Sequence, residues 1–92
     1  MTDAPELHVA GVIVHARPLR VGALRAAIDA LPGAEVFQSH ADGRMVVVLE
    51  AHAVDGLLAL VESIRTRPGV LNVALVYQHA EPAAAMHEEM SP

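Results

Sequence analysis

Cysteine, tryptophan and lysine are absent from this chain of 92 residues, and its aromatic side chains are one Phe and one Tyr. Without cysteine, disulfides, iron–sulfur clusters and thiolate metal sites are excluded. A secreted domain this small usually needs such staples, so a reducing, cytoplasmic compartment is expected. All six basic residues are arginine, against eleven acidic ones, and the net charge is −5. Nucleic-acid binders present a basic face interleaved with aromatics. Neither is present, so no nucleic-acid partner is expected. An acidic surface suits basic partners, and it also aids solubility. No apolar run approaches the roughly 18 residues of a membrane span. The acidic start MTDAPELHV lacks a basic n-region ahead of an apolar stretch, so no signal peptide is expected.

What is present is aliphatic. Apolar residues make up 53% of the chain, mostly Ala, Val and Leu, enough for the core of one small domain. HVAGVIVHA (8–16) is a β-branched run that reads as a first strand. Pro18 then marks the approach to a helix, in which Val21, Leu24, Ile28 and Leu31 share one face. Pro32-Gly33 ends it. AEVFQSH (34–40) and RMVVVLEA (44–51) read as two strands joined by a hairpin turn at Asp42-Gly43. Val54, Leu57, Leu58, Val61 and Ile64 mark a second helix, ended by Pro68-Gly69 in the same way. VLNVALVYQH (70–79) is the fourth strand.

The order β-α-β-β-α-β, with a Pro-Gly pair at the same point of each half, is the ferredoxin-like α+β pattern. Right-handed crossovers put both helices on one face of a four-stranded antiparallel sheet of order 4-1-3-2. Residues 7–80 are expected to form this domain, with a disordered N-terminus at 1–6 and a mobile acidic tail at 81–92.

Strand alternation then assigns faces. Ala10, Val12 and Val14 should point to the helices, as should Val36, then Met45, Val47 and Leu49, then Leu71, Val73, Leu75 and Tyr77. The open face would carry Val9, Gly11, Ile13 and His15, then Glu35, Phe37 and Ser39, then Arg44, Val46, Val48 and Glu50, and finally Asn72, Ala74, Val76 and Gln78. That face is too apolar for a sheet facing only water. Val9, Ile13, Phe37, Val46, Val48 and Val76 would form a patch bordered by Glu35 and Glu50, and such patches mark interaction sites. A homodimer or the tail covering the face is the plainer explanation.

Motifs for chemistry are missing. The six histidines form neither an i, i+4 helical pair nor an HxH strand pair, so no metal site is expected. No nucleophile elbow, P-loop, GxGxxG or paired-carboxylate motif occurs. Acylphosphatases share the fold pattern, but VHARPLRVG (14–22) is not their phosphate loop. Heavy-metal carrier domains need a CxxC. No catalysis and no cofactor are expected.

The segments VAGVIVHARPLRVGALRAAIDALPGAEVF, GRMVVVLEA and VESIRTRPGVLNVALVYQHAE resemble the NapD family, the cytoplasmic maturation chaperones of the periplasmic nitrate reductase. The resemblance covers about Leu7 to Glu81 and is most specific over ESIRTRPGVLNVALVYQHAE. It implies a ferredoxin-like fold without catalysis. It also implies binding of the twin-arginine signal peptide of the catalytic subunit, which holds the precursor back until its molybdenum cofactor is inserted.

Such a peptide has a basic n-region and an apolar h-region. Arginine bonds well to carboxylates, and the h-region would lie on the valines. The expected peptide-binding residues are Val9, Ile13, His15, Glu35, Phe37, Val46, Val48, Glu50 and Val76. The peptide would add a strand to an edge or dock across the face, and the apolar patch favours docking. The chain is expected to be a monomer or weak dimer. The alternative is an amino-acid-sensing module of ACT or Lrp type, which shares the fold. A purely structural subunit is a third reading.

Overall fold

The computed structural model describes residues 6–82. The expectations for residues 1–5 and 83–92 lie outside the described residues. Seven elements follow one another: β1 (Glu6–Ala16), a 3-10 turn (Pro18–Arg20) running into α1 (Val21–Asp29), β2 (Ala34–Ser39), β3 (Arg44–Ala51), α2 (Val54–Arg65) and β4 (Val70–Pro82). The sheet order is β2-β3-β1-β4 with every neighbour antiparallel. This is the 4-1-3-2 order expected from the sequence. The sheet runs longer than expected at one end, where β1 starts earlier and β4 ends later and Glu6 pairs with Pro82.

Local sequence explains the breaks. Both Pro-Gly pairs put glycine in the left-handed region, Gly33 at φ 88° and Gly69 at φ 95°, just ahead of a strand. The expected hairpin turn is present: His40 N–H donates to Arg44 O at 2.8 Å and Gly43 N–H donates to His40 O at 3.0 Å. Asp42 Oδ1 accepts from Arg44 N–H at 3.1 Å, and this bond holds the Asp42 carboxyl below its usual pKa.

The core lies between the sheet and the two helices. Val12, Val14, Met45, Val47 and Leu49 from the central strands meet Leu24 and Ile28 of α1 and Leu57 and Ile64 of α2. Each fully buried aliphatic side chain contributes about 2 kcal/mol. The phases expected for β1 and β3 hold along their full pairing, from His8↔Ala51 to His15↔Arg44. Helix α1 buries the face expected of it, with Val21 and Leu31 packed at its margins. In α2, by contrast, Leu58 is 60% exposed and Val54 43%. Neither belongs to the core cluster.

The edge strands depart from strict alternation. In β2, Val36 pairs with Val47 and Gln38 with Val46, so Phe37 is the extra residue of a bulge. In β4, Gly11 pairs with Tyr77 but Val12 with Leu75, leaving Val76 as an extra residue. A second shift, His15↔Asn72 to Ala16↔Val70, does the same to Leu71. Each bulge reverses the phase beyond it. Ser39 therefore shares the helix-side register of Met45, and Gln78 that of Ala10. Tyr77 shares the open-side register of Gly11. Leu71, Phe37 and Val76 are all well exposed, at 60%, 69% and 62%.

Bulges on both edges discourage pairing with another chain. On β2 the protection is reinforced: Val36 N–H donates to Asp29 Oδ1 at 3.0 Å, so a side chain satisfies this edge amide. Asp29→Ala is expected to lower stability by about 1 kcal/mol, read as a lower urea midpoint with an unchanged slope.

Candidate functional site: the open face of the sheet

The register orders the open face into four rows across the sheet. The first is Glu50–Val9–His79 and the second Glu35–Val48–Gly11–Tyr77. The third is Gln38–Val46–Ile13–Ala74 and the fourth Arg44–His15–Asn72. Polarity changes along the strands. The two carboxylates lie in the first two rows, the third is apolar at its centre, and the fourth carries Arg44.

Most of the arginines gather at the fourth-row end, where Asp42 pairs with Arg44 and Glu62 with Arg65. Arg17 N–H donates to Gly69 O and Ala16 N–H to Gly43 O, which brings Arg17, Arg20, Arg44, Arg65 and Arg67 to the fourth-row end. Asp55 lies in the first turn of α2, at the opposite end.

Seven of the nine expected site residues keep their assigned register. Ile13, Val46 and Val48 are half-buried. His15 is half-buried beside them, and Glu35 and Glu50 are exposed. Val9 belongs to this face by register but is buried, at 8% exposed, and lies outside the core cluster. Phe37 and Val76 are exposed bulge residues without a partner of their own in the register.

Glu35, Val48 and Glu50 line a depression of about 170 Å³ with Gly33 and Ala34. A neighbouring one of about 320 Å³ is lined by Leu7, Pro32, Gly33, Glu50, Ala51 and His52. The carboxylates thus stand at the mouths of two hollows at the acidic end. On the helix side a separate apolar groove of about 140 Å³ runs between Leu58 and Val61 of α2 and Leu75 of β4.

Sequence reasoning missed Tyr77. It sits on the open face, 46% exposed, with its ring stacked on His79 at 6.0 Å between centroids and 20° between planes. The available signal was Gly11: glycine inside a strand marks a close approach or a bulge. Among the described residues no group of three His, Asp or Glu side chains is placed to hold a metal ion, and no helix is long and apolar enough to cross a membrane.

Residues 7–82 match the family model described as NapD protein. The chain belongs to the NapD family. The Chaperone NapD of Escherichia coli (strain K12) is 38% identical over 74 residues, covering 79% of this chain and 85% of that protein. The Chaperone NapD of Haemophilus influenzae is 32% identical over 82 residues, covering 88% of each. The solution structure of the E. coli Tat proofreading chaperone protein NapD superposes with a TM-score of 0.74 at 36% identity. That match covers 84% of this chain and 82% of the other. The ferredoxin-like fold and the NapD chaperone family expected from the sequence are therefore both established.

Proposed function

We propose that the open face binds the twin-arginine signal peptide of the periplasmic nitrate reductase catalytic subunit in the cytoplasm, and so delays export of the precursor until its molybdenum cofactor is inserted. The observation that carries this reading is the composition of the face. Half-buried Ile13, Val46 and Val48 adjoin Glu35 and Glu50. Basic n-region and apolar h-region thus each have a complement. Docking across the face is favoured over strand addition because bulges interrupt both edge strands. The face must be free to bind, so the chain acts as a monomer or weak dimer. Membership of the NapD family leaves the amino-acid-sensing alternative without support.

The test is a calorimetric titration of the full chain with the native leader and with leaders whose twin arginines are Lys or Gln. Binding to the native leader, weakened by either replacement, is expected. No binding to the native leader ends the proposal. Glu50→Gln should weaken binding about five-fold, equivalent to about 1 kcal/mol. The loss should be larger at low salt, where the exposed charge is less screened.

A further inference from the structure

The ring of Tyr77 lies over Gly11. A Cβ built on Gly11 would come within 2.2 Å of Tyr77 Cε1, 2.7 Å of Cδ1 and 3.0 Å of Cζ. The ring therefore occupies the space that any other residue at position 11 would fill. It has crossed from the edge strand β4 to the central strand β1, while remaining 46% exposed. Two independent departures from regularity produce this. The Val76 bulge turns Tyr77 to the open side, and glycine in mid-strand makes room for it.

The neighbours of the ring are informative. Gly11 pairs with Val48, and Val48 with Glu35, so a carboxylate ends the same row. Glu50 is one row away on β3. Strands lie about 4.8 Å apart and successive rows about 6.8 Å, so the Glu50 backbone is about 8 Å from Gly11. A guanidinium bonds a carboxylate at about 2.8 Å and stacks on an aromatic ring within about 6 Å of its centre. The ring fills the space over Gly11 and is stacked on His79, so one guanidinium resting above Val48, beside the ring, can satisfy both conditions at once.

We propose that Tyr77 determines specificity for arginine over lysine in the bound leader, forming the aromatic wall of a guanidinium site whose other wall is Glu35 and Glu50. This rests on the proposal that the face binds a twin-arginine peptide. The carboxylates alone attract any cation. The ring distinguishes a planar, weakly hydrated guanidinium from a strongly hydrated ammonium. Gly11 is a positioning residue in this scheme, because it lets the ring reach the site.

The experiment crosses two changes. The full chain and its Tyr77→Leu, Tyr77→Phe and Gly11→Ala variants are each titrated with the native leader and with a leader carrying twin lysines. The wild type is expected to prefer arginine. Tyr77→Leu should reduce that preference by about two- to five-fold while still binding both peptides. Tyr77→Phe should keep the preference, and Gly11→Ala should lose it as Tyr77→Leu does, because the added methyl displaces the ring. Folding of each variant is checked by circular dichroism.

A second readout needs no variant. Tyr77 is the chain's only tyrosine and tryptophan is absent, so tyrosine emission reports this ring alone. With a leader free of Tyr and Trp, the emission should change on saturation. An unchanged arginine preference in Tyr77→Leu, or unchanged emission at saturation, overturns this proposal and leaves peptide binding intact. Failure of the wild type to bind the native leader overturns both.

Discussion

Ile13→Asp is expected to abolish leader binding, lowering affinity by at least about 100-fold. Ile13 stands at the centre of the apolar row, between Val46 on β3 and Ala74 on β4. A bound h-region would cover it. A carboxylate there must either lose its water or keep the peptide away. Desolvation of an unpaired polar group costs upwards of about 3 kcal/mol, which sets the expected loss. The fold should survive, because the side chain lies on the open face and no core residue packs on it there. Thermal melting and circular dichroism check that. Ile13→Thr keeps the β-branched shape and adds only a hydroxyl, so it should bind with an intermediate loss. If Ile13→Asp folds and binds the leader as tightly as the wild type, the peptide does not lie across the third row.

Gly43→Ala is expected to cost about 3 kcal/mol or more, seen as a fall in Tm of about 15 °C. Two effects combine. Gly43 has φ 110°, where a side chain is strained. Its Cβ would also come 2.1 Å from Ala16 O, a backbone atom that cannot step aside. The same stretch of β1 is held to the turn, since Ala16 N–H donates to Gly43 O at 2.8 Å. Whole-domain stabilities are only about 5–15 kcal/mol, so the loss is a large share of the total. Gly22→Ala supplies the contrast. Nothing lies within 4 Å of a Cβ at that position of α1, and alanine should stabilise the helix by up to about 1 kcal/mol. The same methyl group should thus move Tm in opposite directions at the two sites. Equal small shifts would mean that the hairpin turn is free to rearrange.

The central half of the sheet was legible in the sequence, and the edges were not. β1 and β3 are central strands paired without interruption to each other, so alternation of apolar residues reports their faces directly. Alternation fails wherever a residue is inserted into one strand alone. Phe37, Leu71 and Val76 are inserted in this way, and none is the Gly or Pro that would announce it. The error then propagates. Counting straight through Val76 sends Tyr77 to the core and Gln78 to the open face, the reverse of what is found.

Helix α2 was legible, but how much of its apolar stripe is buried was not. Leu58 and Val54 fit a helical apolar stripe, but the sheet beneath α2 ends at the edge strand β4, so the stripe is wider than the surface available to cover it. The site inherits this division. Ile13, Val46, Val48, Glu35 and Glu50 were placed by period alone. Tyr77 required knowing where the register of β4 breaks.

The place of β1 in the sheet has a consequence for synthesis of the chain. It is made before the other three strands of this sheet, yet its longest pairing is with β4, made after them, from Glu6↔Pro82 to Ala16↔Val70. While the chain is emerging, one side of the valine-rich β1 has no neighbour, and an exposed apolar strand edge of this kind invites association. Closure across so long a loop is also slow relative to local contacts. All four open-face rows span β1 and β4, so none exists before that closure. A chain that stops short of β4 therefore lacks the open face, and if that face takes a client as proposed, the chain gains its binding surface in the same step in which it stops being a client itself.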